Sequence, residues 1–398
     1  MNIGIALNTP RSPPFALTGL MAAAVGAMCL TACGGGGSGS SQPSIPQLAP
    51  AQAGTLANCS SLSGFTFANT TITAATPMAA GAVTSNADGV PLALPAHCVV
   101  TGQMYPRTGI DGKPYAIMFE MRLPNTWNGR FFHQVNGGND GSISSDGTRA
   151  FGRKTGGSPG SNGLIEGFAV LSSDAGHESD PSYPVDPGTG FNIRGQVFAL
   201  DPQARQDYGY QAVGKLTPMA KSMIAAAYGR GPDRSYKVGC SNGGRHAMVA
   251  AARYAADYDG MVAGDPGFSL PRANVAEQWD SQILMSIAQS TDPVTNRPAI
   301  WSAFSTADLG YLRGRILAKC DALDGVTDGM VSDLKACQAA FSVNNDVATC
   351  PEGTAPNGAC VSGAQKNALN KIFSGVRTST GKALYADWPF DGGIGAPG

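Results

Sequence analysis

The chain has 398 residues and a formal net charge of -1, with 42% hydrophobic and only 14% charged residues. That length holds one large domain or two ordinary ones and supports a core of ordinary size. The near-neutral charge gives no electrostatic reason to expect nucleic acid or an anionic membrane surface as a partner. With 53 Gly and 27 Pro, many loops are expected between regular elements.

At the N-terminus, Arg11 precedes an apolar run from Phe15 to Ala32. The run is short for a membrane span and has the shape of a signal-peptide core. It ends Leu30-Thr31-Ala32-Cys33, followed by Gly34 to Gly37 and a Ser/Gly/Pro stretch to about Pro50. Small residues before a Cys, then a flexible tether, predict residues 1–33 to be a lipoprotein-like signal peptide and 34–57 a linker. Cys33 would then carry the lipid. An ordinary secretory signal cleaved nearby is the alternative. Both readings place the protein outside the cytoplasm: periplasmic, held at the outer membrane as a lipoprotein, or secreted. Membrane contact would come only through the anchor.

Export permits disulfides. Setting aside Cys29 and Cys33 leaves seven cysteines: Cys59, Cys98, Cys240, Cys320, Cys337, Cys350 and Cys360. Seven is odd, so one lacks a partner within the chain. Short loops close at low entropic cost, which favours Cys320 with Cys337 and Cys350 with Cys360. Cys59 with Cys98 would tie down the N-terminal segment, leaving Cys240 unpaired. A buried free thiol is the plain alternative for Cys240. No CxxC or Cys/His cluster has metal-ligand spacing.

From about Asn58 to Arg130 the sequence reads as β-rich, with runs such as Cys98–Gly102 and Tyr115–Leu123 broken by turns. The rhythm then changes. Phe131–Val135 reads as a strand ending in Asn136-Gly137-Gly138-Asn139-Asp140-Gly141, and Phe168–Ser172 as a strand ending in Asp174-Ala175-Gly176-His177. Leu216–Tyr228 reads as a helix with Thr217-Pro218 as its start signal. Tyr236–Gly239 reads as a strand, Arg245–Tyr254 as an Ala-rich helix, and Met261–Gly264 as a last strand. Alternation of this kind predicts an α/β core over 58–268 with a mostly parallel sheet, whose functional residues gather at the carboxyl ends of the strands. From 269 to 398 the rhythm stops. That part reads as irregular, Cys-bearing and Asp-rich, like an inserted lid, and incomplete.

Gly239-Cys240-Ser241-Asn242-Gly243-Gly244 contains G-x-S-x-G between a predicted strand and a predicted helix. This is the context the nucleophile elbow of an α/β-hydrolase fold requires. Ser241 is the predicted nucleophile. The Asn242 N–H is one expected oxyanion donor, and the turn Gly137-Gly138 fits a second, with Gly138 as the donor. In this fold the order along the chain is Ser, then Asp or Glu, then His. Of His97, His133, His177 and His246, only His246 follows Ser241, and helix geometry points it away from the hydroxyl. His177, at a strand end, is the least implausible substitute and reads as structural. Asp265 has no His to orient. The triad is therefore expected to be incomplete, which fits either a fragment of a longer enzyme or a binding protein without turnover.

These residues resemble the tannase/feruloyl esterase family, which also contains bacterial mono(2-hydroxyethyl) terephthalate hydrolases. The likeness rests on Gly239–Arg245, Asp265-Pro266-Gly267, Gly167–His177 and the Asp-rich stretch from Cys320, and runs from about Cys59 onward. It implies a serine hydrolase of the α/β-hydrolase fold, with a large lid, that cleaves small aromatic esters through an acyl-enzyme. It also implies that Cys240 bonds a Cys beside the catalytic His, both beyond this chain's end. Finally, it implies a structural calcium ion in the lid, held by Asp321, Asp324 and Asp328 with backbone carbonyls of Val326 and Met330. Three carboxylates within eight residues, interleaved with Gly, also suit a hard cation on their own chemistry, although a solvated acidic loop is equally compatible. A lipid-anchored aromatic-ligand-binding pseudoenzyme and a terephthalate-monoester hydrolase are the alternative functions.

Overall fold

The computed structural model describes residues 49–81, 83–85, 91–143, 150–153, 161–183, 194–293 and 296–395. Cys33 and the predicted signal lie outside the described residues. A seven-stranded sheet carries the fold. Its strands are β1 (Thr70–Met78), β2 (His97–Thr108), β3 (Pro114–Pro124), β4 (Arg130–Val135), β5 (Ala169–Ser173), β6 (Arg234–Cys240) and β7 (Gly260–Gly264). Across the sheet the order is β7-β6-β4-β5-β3-β2-β1. The β7–β6, β6–β4 and β4–β5 pairings are parallel, whereas β5–β3, β3–β2 and β2–β1 are antiparallel. The sheet is thus mixed rather than mostly parallel. The antiparallel half is largely the β-rich N-terminal segment, where a short turn joins β2 to β3, and the parallel half needs longer crossover connections.

Alternation sorts the central strands onto two cores. Phe131, Ala169 and Leu171 enter one cluster with Phe119, Met121 and Leu123, while Phe132 and Val170 enter another with Val238 and Leu164 on the opposite face. Both faces of β4 and β5 are covered, which is why they read as continuous apolar runs.

Helix α1 (Ala212–Tyr228) packs Leu216, Met219, Met223 and Ile224 against the first core. Thr217-Pro218 is not its start. The helical segment begins at Pro202, where the Asp201 carboxylate accepts the Ala204 N–H at 2.7 Å, and it passes through a π-turn at Asp207–Gln211 into α1. Burial of Ala212, Val213 and Leu216 extends the helix upstream through a site where Pro218 removes one hydrogen bond. The Thr217 hydroxyl, itself buried, donates to the Val213 carbonyl at 2.8 Å. Helix α2 (Asn242–Arg253) follows β6 directly.

Beyond β7 the chain is helical rather than irregular. Helices α3 (Leu270–Ser286), α4 (Thr306–Cys320), α5 (Leu334–Ala340) and α6 (Gly363–Phe373) follow in order. Asp308, Leu312, Ile316 and Cys320 make a buried stripe on α4 at four-residue spacing. The three apolar-side residues of that stripe join Val331, Cys337, Phe341, Val361 and Leu369 in a core of their own. All the described elements belong to one unit, Pro50–Gly398.

Candidate active site

The site forms where β4, β5 and β6 end. The chain leaves β6 at Cys240 and reverses through Ser241 into α2. Ser241 has φ 58° and ψ -119°, a conformation that costs a non-glycine residue on the order of 1–3 kcal/mol and persists only where its surroundings impose it. Here they do. The Ser241 N–H donates to the Gly264 carbonyl, and the Ser241 carbonyl accepts from the N–H groups of Arg245 and Gly267, all at 3.0 Å. The glycines are steric necessities: a Cβ on Gly239 would lie 2.5 Å from Val135 Cγ2, and one on Gly243 2.5 Å from the Val135 carbonyl oxygen. Ser241 itself is exposed, at the N-terminus of α2 where backbone amides lack helical acceptors.

The turn after β4 abuts this elbow. A Cβ on Gly137 would sit 3.6 Å from the Cys240 carbonyl oxygen and 3.9 Å from Ser241 Cβ, and Gly138 takes φ 60° with open space around it. Ser241, Asn242 and the Gly137-Gly138 turn, nominated from the sequence, therefore lie side by side.

Sequence reasoning missed what lies beneath them. Asp140, in the same turn, has a buried side chain and φ 56°. Its Oδ2 accepts from Asn242 Nδ2 at 2.6 Å and meets His246 Nε2 at 2.8 Å. Asn242 Oδ1 accepts from the Tyr208 hydroxyl at 3.0 Å and from Arg245 Nε at 2.7 Å. The remaining Arg245 nitrogens donate to the carbonyls of Gly209 and Tyr208 at 3.0 and 3.1 Å. Burial holds His246 below the ordinary imidazole range; Asp140 opposes this, and Arg245 and Lys237 add to it. Arg245 Nη2 lies 3.1 Å from the same Nε2; because the Asp140 carboxylate accepts, the ring is assigned as donating from Nε2 to Asp140.

The other histidines are committed elsewhere. His97 Nδ1 donates to the Pro95 carbonyl at 2.7 Å, and its Nε2 meets Arg122 at 2.8 Å. His133 Nδ1 meets the Tyr258 hydroxyl at 2.8 Å and Lys237 Nζ at 3.3 Å, and burial drives both His133 and Lys237 well below their ordinary ranges. His177 is buried, stacked on Phe198 at 3.6 Å with an 18° interplanar angle. Desolvation pulls it down to about 4. The Asn139 backbone lies near enough to favour its charged form, but neither ring nitrogen has a hydrogen-bond partner of sound geometry among the described residues. No histidine bonds Ser241 among the described residues.

Disulfides join Cys320 to Cys337 and Cys350 to Cys360, as proximity in sequence predicted, and Cys59 to Cys98, the pairing then left to tie down the N-terminal segment. Cys240 is free, and it is exposed rather than buried. Its Sγ lies 3.8 Å from Asp265 Oδ2.

The acidic loop after α4 is folded by its own carboxylates. Asp321 Oδ1 accepts from the N–H groups of Asp328 and Gly329 at 3.1 Å. Asp324 accepts from Val326 and Ser332, both at 3.0 Å, and Asp328 from Met330 at 3.1 Å. Among the described residues no three acidic, His or Cys side chains converge on one point at ligand distance. The donors fit calcium in chemistry, since all are hard oxygens with lone pairs beyond those the amides use, but these carboxylates point at backbone N–H groups rather than at a common centre.

A strand–turn–helix elbow with a strained serine at its apex, on the parallel half of a mixed sheet, defines an α/β-hydrolase-type fold. Solved structures agree with that class. Feruloyl esterase B from Aspergillus oryzae aligns with TM-score 0.62 at 24% identity, covering 83% of this chain and 58% of its own. Tannin acyl hydrolase from Aspergillus niger aligns with TM-score 0.57 at 21% identity, covering 81% and 54%. The family model described as tannase and feruloyl esterase matches residues 98–396, and the chain belongs to that family. Among curated relatives, the mono(2-hydroxyethyl) terephthalate hydrolase of Piscinibacter sakaiensis is 40% identical over 310 residues, 76% of this chain and 49% of that protein. A probable feruloyl esterase B-1 of Aspergillus fumigatus is 30% identical over 267 residues, 67% of this chain and 43% of that protein. The chain spans about half the length of the curated relatives it matches.

Proposed function

We propose that the protein is an exported serine esterase that hydrolyses carboxylic esters of aromatic acids. The observation that carries this reading is the strained Ser241 beside the Gly137-Gly138 turn. Ser241 Oγ attacks the ester carbonyl and loses its proton to a general base. The N–H groups of Asn242 and Gly138 hold the oxyanion, the alcohol leaves protonated, and water releases the aromatic acid from the acyl-enzyme. No histidine hydrogen-bonds Ser241 among the described residues, so the activating His and its Asp are assigned to polypeptide outside these 398 residues, along with a cysteine that would bond Cys240. Three disulfides support export to an oxidising compartment. A lipid on Cys33, a lid over 269–398 and a structural calcium at Asp321, Asp324, Asp328 and the carbonyls of Val326 and Met330 complete the proposal. Lipid anchoring would be tested by mass spectrometry of the mature N-terminus, and calcium by whether EDTA lowers Tm and calcium restores it.

The 40% identity to a terephthalate-monoester hydrolase favours that substrate class within the same chemistry. That none of the four histidines bonds Ser241 among the described residues favours the second reading, a binding protein without turnover. The test is hydrolysis of methyl ferulate, methyl gallate and mono(2-hydroxyethyl) terephthalate. The 398-residue chain is compared with a chain extended by its natural downstream coding sequence and with Ser241→Ala. Turnover by the extended chain that Ser241→Ala abolishes supports the esterase. Its absence with retained binding of aromatic acids supports the second reading. Ser241-dependent turnover by the 398-residue chain would overturn the assignment of the base.

A further inference from the structure

From this geometry we infer that Asp140 is a positioning residue that locks the oxyanion turn onto the nucleophile helix; the catalytic consequence rests on the esterase reading above. The two proposed oxyanion donors belong to different segments. Gly138 is in the turn after β4, and Asn242 is the first residue of α2. An oxyanion hole works only if donors from both segments are held in place before charge develops. Among the described residues, both hydrogen bonds that cross from the turn to α2 are made by Asp140 Oδ2, to Asn242 Nδ2 at 2.6 Å and His246 Nε2 at 2.8 Å. Both side chains of the Asp140–His246 pair are only 2% exposed, so the bonds are shielded from water and from screening.

The anchor is rigid on its far side as well. Asn242 is held by Tyr208 and Arg245, and Arg245 is held by the carbonyls of Gly209 and Tyr208. On the near side, the Asp140 N–H donates to the Gly137 carbonyl at 3.3 Å, and the Gly141 N–H to the Asp174 carbonyl at 3.1 Å. Asp140 therefore joins two preset pieces at one atom. Asp140 itself takes φ 56°, a backbone conformation that a non-glycine residue holds only where its surroundings impose it. An Asn at this position keeps an acceptor oxygen for both donors, whereas an Ala leaves Asn242 Nδ2 and His246 Nε2 buried without it.

The test has two arms. In the 398-residue chain, amide hydrogen exchange is followed for peptides covering 136–143, 241–253 and the core strand 97–108, in wild type, Asp140→Ala and Asp140→Asn. The expected result is that Ala speeds exchange in 136–143 at least about tenfold with 97–108 unchanged, while Asn stays within about threefold of wild type. Unchanged exchange at 136–143 in a folded Ala variant overturns the inference. So does acceleration of all three regions in both variants, which would mark Asp140 as a general stability residue. In the extended, turnover-competent protein, Ala is expected to lower kcat about 100-fold with KM within about threefold, and Asn to restore most of it. A loss confined to KM, or no loss, overturns the catalytic role. If wild type itself shows no turnover, the esterase reading fails and the exchange arm alone decides the lock.

Discussion

His177 offers the sharpest physical test of how this strand-end region is built. The ring is 1% exposed, stacked on Phe198 and set edge-on to Tyr208 with centroids 5.7 Å apart. Desolvation outweighs the Asp140 charge and the Asn139 backbone, which both favour the imidazolium, and lowers the ring's pKa from 6.5 to about 4. In the unfolded chain the same ring titrates near 6.5. Because the folded pKa is the lower one, the unfolded state binds the extra proton between these two values. Stability is intact above about pH 6.5 and is lost as pH falls toward 4. The shift corresponds to about 3 kcal/mol.

Replacing His177 with Phe keeps an aromatic ring on Phe198 and removes the proton. Urea unfolding of both proteins at pH 7.5, 5.5 and 4 gives the difference in stability at each pH. That difference should move in favour of His177→Phe by about 2–3 kcal/mol across the range. Asp174 lies three residues upstream and has the opposite sign, since burial raises its folded pKa well above 3.8. Its contribution is present in both proteins and largely cancels. A difference that stays constant from pH 7.5 to 4 would refute the reasoning, because it would mean that the charged ring is accommodated in the fold.

Asp174→Asn should stabilise the protein at pH 8 and not at pH 3.5. Oδ1 accepts the N–H groups of Met118 and Gly176 at 3.0 and 2.8 Å, which an amide preserves, and a raised folded pKa means stability lost as pH rises above 3.8; urea midpoints at the two pH values check this. Gly243→Ala should cost about 1–3 kcal/mol, because its new methyl meets the backbone carbonyl oxygens of Val135 and Asn136 rather than a movable side chain; the Tm reports it. Replacing Cys320 and Cys337 together with Ala should cost about 3 kcal/mol, the scale for a loop of this size, and a thermal melt of the double variant measures it.

How legible the molecule is from its sequence depends on the range of the constraint. The elbow at Ser241 is legible because its constraints are local: glycines at 239 and 243 have no room for a side chain, and a strand must enter where a helix leaves. The three disulfides are legible for a similar reason, as short or terminal loops. The start of α1 misled because Thr217-Pro218 is a strong local start signal, and burial of Ala212 and Val213 upstream of it outweighed that signal. The helices after 269 carried a readable signal that periodicity did not catch. Ser305–Asp308 and Ser362–Gln365 are capping boxes, each with a side chain accepting the third residue's N–H and a reciprocal bond back.

The Asp140–His246 pair is a different case. Its members lie 106 residues apart, and each stands in a segment with a local explanation already: Asp140 in a Gly-rich turn, His246 in an Ala-rich helix. Only the parallel register of β4 beside β6, Val135 opposite Gly239, brings the end of one strand against the helix leaving the other. The residues that do the proposed chemistry are readable because backbone geometry restricts which residue types fit. Those that hold them in place are hidden, because a buried carboxylate needs donors but does not dictate from which element they come. For this fold, positioning residues should therefore be sought where two strand-end segments meet underground, with Asp140 as the first case to test.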